Sequence, residues 1–166
     1  MIIWLAGLSG SGKTTLAKEL LRILPRGFLV DGDLLREDLC NDLGFDGESR
    51  HEQARRAAGV AKIADANVCT AVCSVITPLR ESRDEVRKTL SETQFYLVYV
   101  STPIETCRER DPKGLYKKVD SGEITNFTGV DGVFESPTPD EYDSIVDTSN
   151  RTVNECVDQI ISDIGL

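Results

Sequence analysis

Gly7-Leu8-Ser9-Gly10-Ser11-Gly12-Lys13-Thr14 stands between the apolar run Ile2-Ile3-Trp4-Leu5-Ala6 and the helical pattern Thr15 to Leu24. It spells a complete G-x-x-x-x-G-K-[ST] loop in the strand-to-helix setting that its physics requires. Glycines let successive backbone N–H groups curl around a β-phosphate, and the helix that follows presents its positive end. Lys13 is placed to bridge β- and γ-phosphates, Thr14 to hold Mg²⁺, and Thr15 to extend the cradle. The stretch therefore announces a triphosphate site on an α/β fold.

Outward from the loop, strands and helices alternate. Phe28-Leu29-Val30 reads as a second strand running into Asp31-Gly32-Asp33. A helix is predicted from about Leu34 to Asn41, and a longer one from about Ser49 to Ala66 with a capping box between Ser49 and Glu52. Val68 to Val75 is β-branched and apolar, the pattern of a strand buried on both faces, and Pro78 breaks it. Leu79 to Leu90 is helical, Phe95 to Val100 is the fourth strand, and Pro103 introduces a helix at Ile104 to Arg108. Residues 110–139 are rich in Gly, Pro, Lys and Asp, with one short helix at Leu115 to Ser121, and read as a mobile lid. Ser144 to Asp147 forms a last short strand and Val153 to Ile164 a closing helix. This alternation predicts one domain, 1–166, a three-layer doubly wound α/β fold with a parallel five-stranded sheet and right-handed crossovers. Ligands of such sheets bind beyond the carboxyl ends of the strands, where the loop, Asp31, Asp33 and Pro78 converge.

The chain has 166 residues, 40% of them hydrophobic, enough for one substantial core. No stretch reaches the roughly 20 apolar residues that span a bilayer, and no signal peptide opens the sequence. A cytoplasmic protein without a membrane partner is expected. The net charge of −9 argues against nucleic acid as a partner. Basic residues nevertheless cluster at Arg50, Arg55 and Arg56, at Arg80, Arg83 and Arg87, and from Arg108 to Lys118, so a cleft can be locally positive. Five cysteines, Cys40, Cys69, Cys73, Cys107 and Cys156, form no C-x-x-C pair and read as reduced, partly buried thiols. His51, the only histidine, lies in a polar helical stretch and is expected to face solvent.

A phosphate loop serves kinases, GTPases and motor ATPases alike. No N-K-x-D guanine motif is present, and the one D-x-x-G, at Asp111 to Gly114, follows a charged helix end. Strand Val68 to Val75 lacks the terminal aspartate of a usual Walker B, so the metal site recruits its carboxylate elsewhere, with Asp31 and Asp33 nearest. Phosphoryl transfer asks for an in-line nucleophile and neutralised charge. Asp31 is placed to accept a proton from an acceptor hydroxyl, Asp33 to hold Mg²⁺ waters, and Arg36 to face an anionic acceptor. Asp-Gly-Asp would also serve as a turn and helix cap.

At these residues the chain resembles the adenylyl-sulfate (APS) kinases. The shared motifs are G-L-S-G-S-G-K-T-T at Gly7 to Thr15, D-G-D-x-x-R at Asp31 to Arg36, D-L-G-F at Asp42 to Phe45, and R-x-E-x-x-R-R at Arg50 to Arg56. V-A-K at Val60 to Lys62, R-D-P-K-G-L-Y-K-K at Arg110 to Lys118, G-E-I at Gly122 to Ile124 and N-F-T-G-V-D at Asn126 to Asp131 complete the series. The resemblance implies transfer of the γ-phosphoryl of ATP, with Mg²⁺, to the 3′-hydroxyl of adenosine 5′-phosphosulfate, giving PAPS and ADP, by a homodimer. It implies that Phe45 and Phe127 sandwich the adenine of APS, that Arg36 and Arg50 meet its phosphosulfate, and that Arg110 serves ATP. Lys113, Lys117 and Lys118 would close over the anions. Three positions depart from the family pattern. Gln53 replaces an asparagine that contacts the acceptor, Thr77 replaces the serine associated with a phosphorylated intermediate, and Leu34 replaces the asparagine after D-G-D. A kinase of another nucleotide-linked acceptor, or a nucleotide-binding module without catalysis, are the alternatives.

Overall fold

A computed structural model describes residues Met1–Leu166. The chain order is β1 (Ile2–Ala6), α1 (Lys13–Ile23), β2 (Gly27–Asp31), α2 (Gly32–Glu37), α3 (Gly47–Ala66), β3 (Thr70–Ser74), α4 (Arg80–Thr89), β4 (Phe95–Val100), α5 (Ile104–Arg110), α6 (Leu115–Asp120), β5 (Ser144–Val146) and α7 (Val153–Asp163). The five strands lie in the order β2-β3-β1-β4-β5, and every neighbouring pair is parallel.

The crossover from β1 runs one way across the sheet and those from β2 and β3 run the other, and this decides where the helices go. The chain passes from β1 outward to β2, then returns through β3 and crosses β1 to reach β4. Right-handed crossovers therefore put α1 on one face and α3 with α4 on the other. On the α3 side, Ile2, Trp4 and Ala6 pack with Ala54, Ala57, Ala58 and Ala61. The alanine stripe lets the helix lie close to the sheet while Trp4 fills the volume between them. On the opposite side Ile3 and Leu5 meet Leu16, Leu20, Val157 and Ile160 of α1 and α7. β1 is buried along its whole length, as a central parallel strand must be.

Local details differ from the sequence expectation where turn chemistry outweighs apolar pattern. Val68 adopts φ 60 and is 71% exposed, so β3 begins at Thr70 rather than Val68. The Asp31 carboxylate accepts from the Asp33 N–H and starts α2 at Gly32, and α2 ends at Glu37 rather than Asn41. Helix α3 starts at Gly47, capped by Asp46 through the Ser49 N–H. The predicted box does not form, because Glu52 instead receives Arg55 and Arg56. His51 is half-buried, and its Nδ1 lies 3.1 Å from the Ser82 hydroxyl, which corrects its expected exposure. All five cysteines are free; four are buried, and Cys69 is half-buried.

Residues 110–139 contain α6 and little other regular structure. Their apolar side chains nevertheless build a small core in which Tyr116 and Phe127 join Leu8 and Cys107. The Tyr116 hydroxyl donates to the Ser9 carbonyl at 2.9 Å, seating the segment on the phosphate loop.

Candidate active site

The loop takes its shape from glycines. Gly10 (φ 77) and Gly12 (φ 98) occupy the left-handed region, and a Cβ at Gly10 would lie 2.9 Å from the Cys107 carbonyl oxygen. Both conditions exclude larger residues. Gly12 is also the N-cap of α1, so the first N–H groups of that helix face the loop's interior. Lys13 lies buried beneath the loop, its ammonium donating to the Leu8 carbonyl at 2.6 Å. Burial pushes the Lys13 pKa down to about 8.

The carboxyl ends of β2 and β3 supply the groups beside the loop. Thr14 Oγ1 donates to Asp31 Oδ2 at 3.0 Å and lies 3.0 Å from Ser74 Oγ. Asp31 is 6% exposed and spends its other oxygen, Oδ1, on the Asp33 N–H at 2.9 Å. Asp33, in contrast, is paired with Lys113, which reaches across from the segment after α5. Sequence reading gave Asp31 the acceptor proton and Asp33 the Mg²⁺ waters; in the structure Asp31 is the one seated against Thr14, and Asp33 is held by Lys113 from the segment after α5.

Arg110 completes the opposite wall. Its two terminal nitrogens donate to Thr148 Oγ1 and to the Thr148 carbonyl, each at 2.7 Å. The Thr148 hydroxyl donates in turn to the Ser11 carbonyl at 2.9 Å. Thr148 lies in no motif, and Tyr116 lies in one, R-D-P-K-G-L-Y-K-K, that gives it no role; only tertiary contact relates either of them to the loop.

One cavity of about 1300 Å³ runs from the loop past Asp31 to Phe45, Arg36, Arg50 and Phe127. Phe45 is 57% exposed at its rim, with the Arg36 guanidinium 4.3 Å and the Arg50 guanidinium 5.7 Å from its ring centroid. Phe127 is buried, edge-on to Tyr116 with centroids 4.9 Å apart. Arg50 joins the two phenylalanine segments, donating to the Phe45 carbonyl at 2.8 Å and to the Asn126 carbonyl at 3.3 Å. Burial, reinforced by the neighbouring Arg36, lowers the Arg50 pKa to about 10, and burial lowers that of Arg36 as well. Two confined cations without a carboxylate partner define a site for an anion.

Two residues expected at the acceptor are placed otherwise. Gln53 is buried and its Nε2 donates to the Gly32 carbonyl at 2.7 Å, so its amide holds the Asp31–Asp33 turn while the side chain still lines the cavity. Thr77 is 1% exposed; its hydroxyl accepts from the Trp4 indole at 2.8 Å and donates to the Val75 carbonyl at 3.2 Å. Arg55, Arg56, Arg80, Arg83 and Arg87 are each paired with a carboxylate, Arg55 within its own helix and the other four across to neighbouring segments. Lys117 and Lys118 sit in the last turn of α6.

A phosphate loop, a buried carboxylate at the end of β2 and an arginine-lined rim in one cleft define a phosphate-loop kinase. The profile of the family described as Adenylylsulphate kinase matches residues 1–144. The adenylyl-sulfate kinase of Staphylococcus carnosus is 45% identical over 166 residues, covering 97% of this chain and 82% of that protein. The solved structure of the Mycobacterium tuberculosis APS kinase CysC in complex with AMPPNP and APS superposes with a TM-score of 0.89 at 36% identity, over 99% of this chain and 97% of that one. A gluconokinase from Sinorhizobium meliloti, 16% identical with a TM-score of 0.62, shares the fold alone. The chain belongs to the adenylyl-sulfate kinase family.

Proposed function

We propose that this protein transfers the γ-phosphoryl group of MgATP to the 3′-hydroxyl of adenosine 5′-phosphosulfate, giving PAPS and ADP. The observation that carries the reading is the single cleft in which Asp31 stands between the phosphate loop and the Arg36–Phe45–Arg50 rim. Triphosphate binds along Gly7 to Thr15, with Lys13 at its β- and γ-phosphates and Arg110 against its far side. The acceptor's adenine lies between Phe45 and Phe127, and its anionic end meets Arg36 and Arg50. Stacking of this kind is worth about 1–3 kcal/mol per base.

Asp31 accepts the proton of the acceptor hydroxyl as its oxygen attacks the γ-phosphorus, while the bond to the β-bridging oxygen breaks and ADP leaves. The Thr14 hydroxyl fits Mg²⁺, which takes few protein oxygens and keeps waters and phosphate oxygens as its remaining ligands. Bound there, the ion would neutralise charge on the transferring group. Lys113 through Asp33 ties the 110–139 segment across the cleft, excluding water that would divert ATP to hydrolysis. A homodimer in the cytoplasm is the working form this reading takes from the family; no helix is long and apolar enough to cross a membrane.

A coupled ADP-release assay tests the reading with APS and, in parallel, with other nucleotide-linked anions. Turnover with APS that falls by about 10²–10⁴ in Asp31→Asn, with ADP affinity retained, is expected. Turnover with another nucleotide acceptor but none with APS overturns it, and Gln53 and Leu34 would then mark the altered acceptor pocket.

A further inference from the structure

Ser74 ends β3 at the point where Asp31 ends β2, and the two are direct partners in the parallel register. It is also the β3 partner of Leu5, two residues before the phosphate loop begins. Many phosphate-loop proteins carry the Mg²⁺-directed aspartate on such a core strand beside the loop. Here that strand ends in a hydroxyl. We propose that Ser74 is a positioning residue of the Mg²⁺-nucleotide site, setting the orientation of the Thr14 hydroxyl.

Valence decides the direction of each hydrogen bond in the group. An ionised carboxylate only accepts, so the Thr14 hydroxyl proton goes to Asp31 Oδ2, at 3.0 Å. Ser74 Oγ lies 3.0 Å from the same Thr14 oxygen, whose proton is already committed, so Ser74 is the donor. The Thr14 oxygen is then held between Ser74 and Asp31 with one lone pair left over. Ser74 is 5% exposed, on a strand whose five residues are all buried, so it cannot swing away from this contact. A hydroxyl whose rotation is fixed from both sides offers its free lone pair in one direction, and a small cation that demands near-ideal octahedral geometry gains from that. The Ser74–Thr14–Asp31 chain thus links β3, the loop and β2, where other phosphate-loop proteins use a carboxylate on the core strand.

This inference rests on the Mg²⁺-nucleotide reading of the loop. The test is calorimetric titration of the full chain with ADP, in Mg²⁺ and separately in EDTA. In the wild type, Mg²⁺ tightens ADP binding. In Ser74→Ala, affinity in EDTA is unchanged, which also reports an intact loop, and the tightening by Mg²⁺ shrinks about tenfold. Ser74→Cys, close in size but a weak donor, behaves the same way should the alanine variant fail to fold. In a Thr14→Ala background the Ser74 substitution adds no further loss, because it acts through Thr14. Undiminished Mg²⁺ dependence in both Ser74 variants overturns the proposal alone. A wild type whose ADP affinity ignores Mg²⁺ overturns the metal reading and the proposal together.

Discussion

The Trp4 indole N–H donates to the Thr77 hydroxyl at 2.8 Å, joining the central strand to the turn that follows β3. Both partners are buried, and Thr77 holds a left-handed φ of 45 that branched residues seldom adopt. Thr77→Val removes the acceptor and leaves the indole N–H buried without a partner, at about 1–3 kcal/mol in urea unfolding. Thr77→Ser keeps the hydroxyl and sheds the branch, and is expected to be at least as stable as the wild type. With its hydroxyl committed in both directions, Thr77 is expected to take no phosphate during turnover. Intact-mass spectrometry after incubation with ATP is expected to show no added phosphoryl group.

Phe45 contributes ligand surface and little core. More than half of it is exposed, and Arg36 and Arg50 lie against its ring. Phe45→Ala is expected to change folding stability by no more than about 0.5 kcal/mol. KM for APS should rise about tenfold or more, by the loss of one stacked face, while KM for ATP stays put. Initial-rate measurements with each substrate varied in turn check this.

Lys13 gives the nucleotide site a pH signature. Burial holds its folded pKa at about 8, against 10.5 for the free side chain. Below pH 8 the amine is protonated in folded and unfolded chains alike. From about 8 to 10.5 only the unfolded chain keeps the proton, so the Lys13 contribution makes the protein more stable as pH rises through that window. Polyphosphate reverses the depression, because anions beside the amine favour its charged form. Near pH 8, nucleotide binding should take up about half a proton, and at pH 6.5 almost none. Calorimetry in buffers of different ionisation enthalpy measures the uptake.

Arg83 and Glu141 form a buried ion pair, Nε to Oε1 at 2.8 Å, with both side chains at most 5% exposed. Arg83 Nη1 also donates to the Thr77 carbonyl at 3.3 Å, so the pair ties the turn after β3 to the segment before β5. Glu141→Ala leaves a buried guanidinium unpaired and is expected to cost about 3–5 kcal/mol. Replacing both partners by apolar residues of similar size should cost much less, which a double-mutant cycle in urea unfolding reads directly.

Sequence carried the architecture well, because strand periodicity, glycine placement and the loop motif are local signals. The sheet, its parallel sense and the helices around it follow from patterns spread from Ile2 to Ile164. The site was legible to the extent that chemistry sat inside motifs: Lys13, Thr14, Asp31, Arg36, Phe45, Arg50, Arg110 and Phe127 share one cleft with one wall or another of the loop. What spacing could not convey was the choice of partner. Asp33 was expected at the Mg²⁺ waters, yet strand β2 ends between Asp31 and Asp33 and sends the first toward Thr14 and the second toward Lys113. Gln53 is long enough to reach the Gly32 carbonyl from α3, a contact across two elements that no local pattern encodes. Ser74 lay in view at the end of an apolar strand, and its nearness to Thr14 and Asp31 emerges only when the register sets it beside them.

The central claim is that the acceptor is the 3′-hydroxyl of APS. Incubating the protein with MgATP and either APS or its 3′-deoxy analogue, and following ADP release together with product mass, tests it most directly. The expected result is stoichiometric ADP and PAPS with APS, and only background ATP hydrolysis with the deoxy analogue. ADP release at equal rates from the two, or a phosphorylated product from the deoxy analogue, contradicts it.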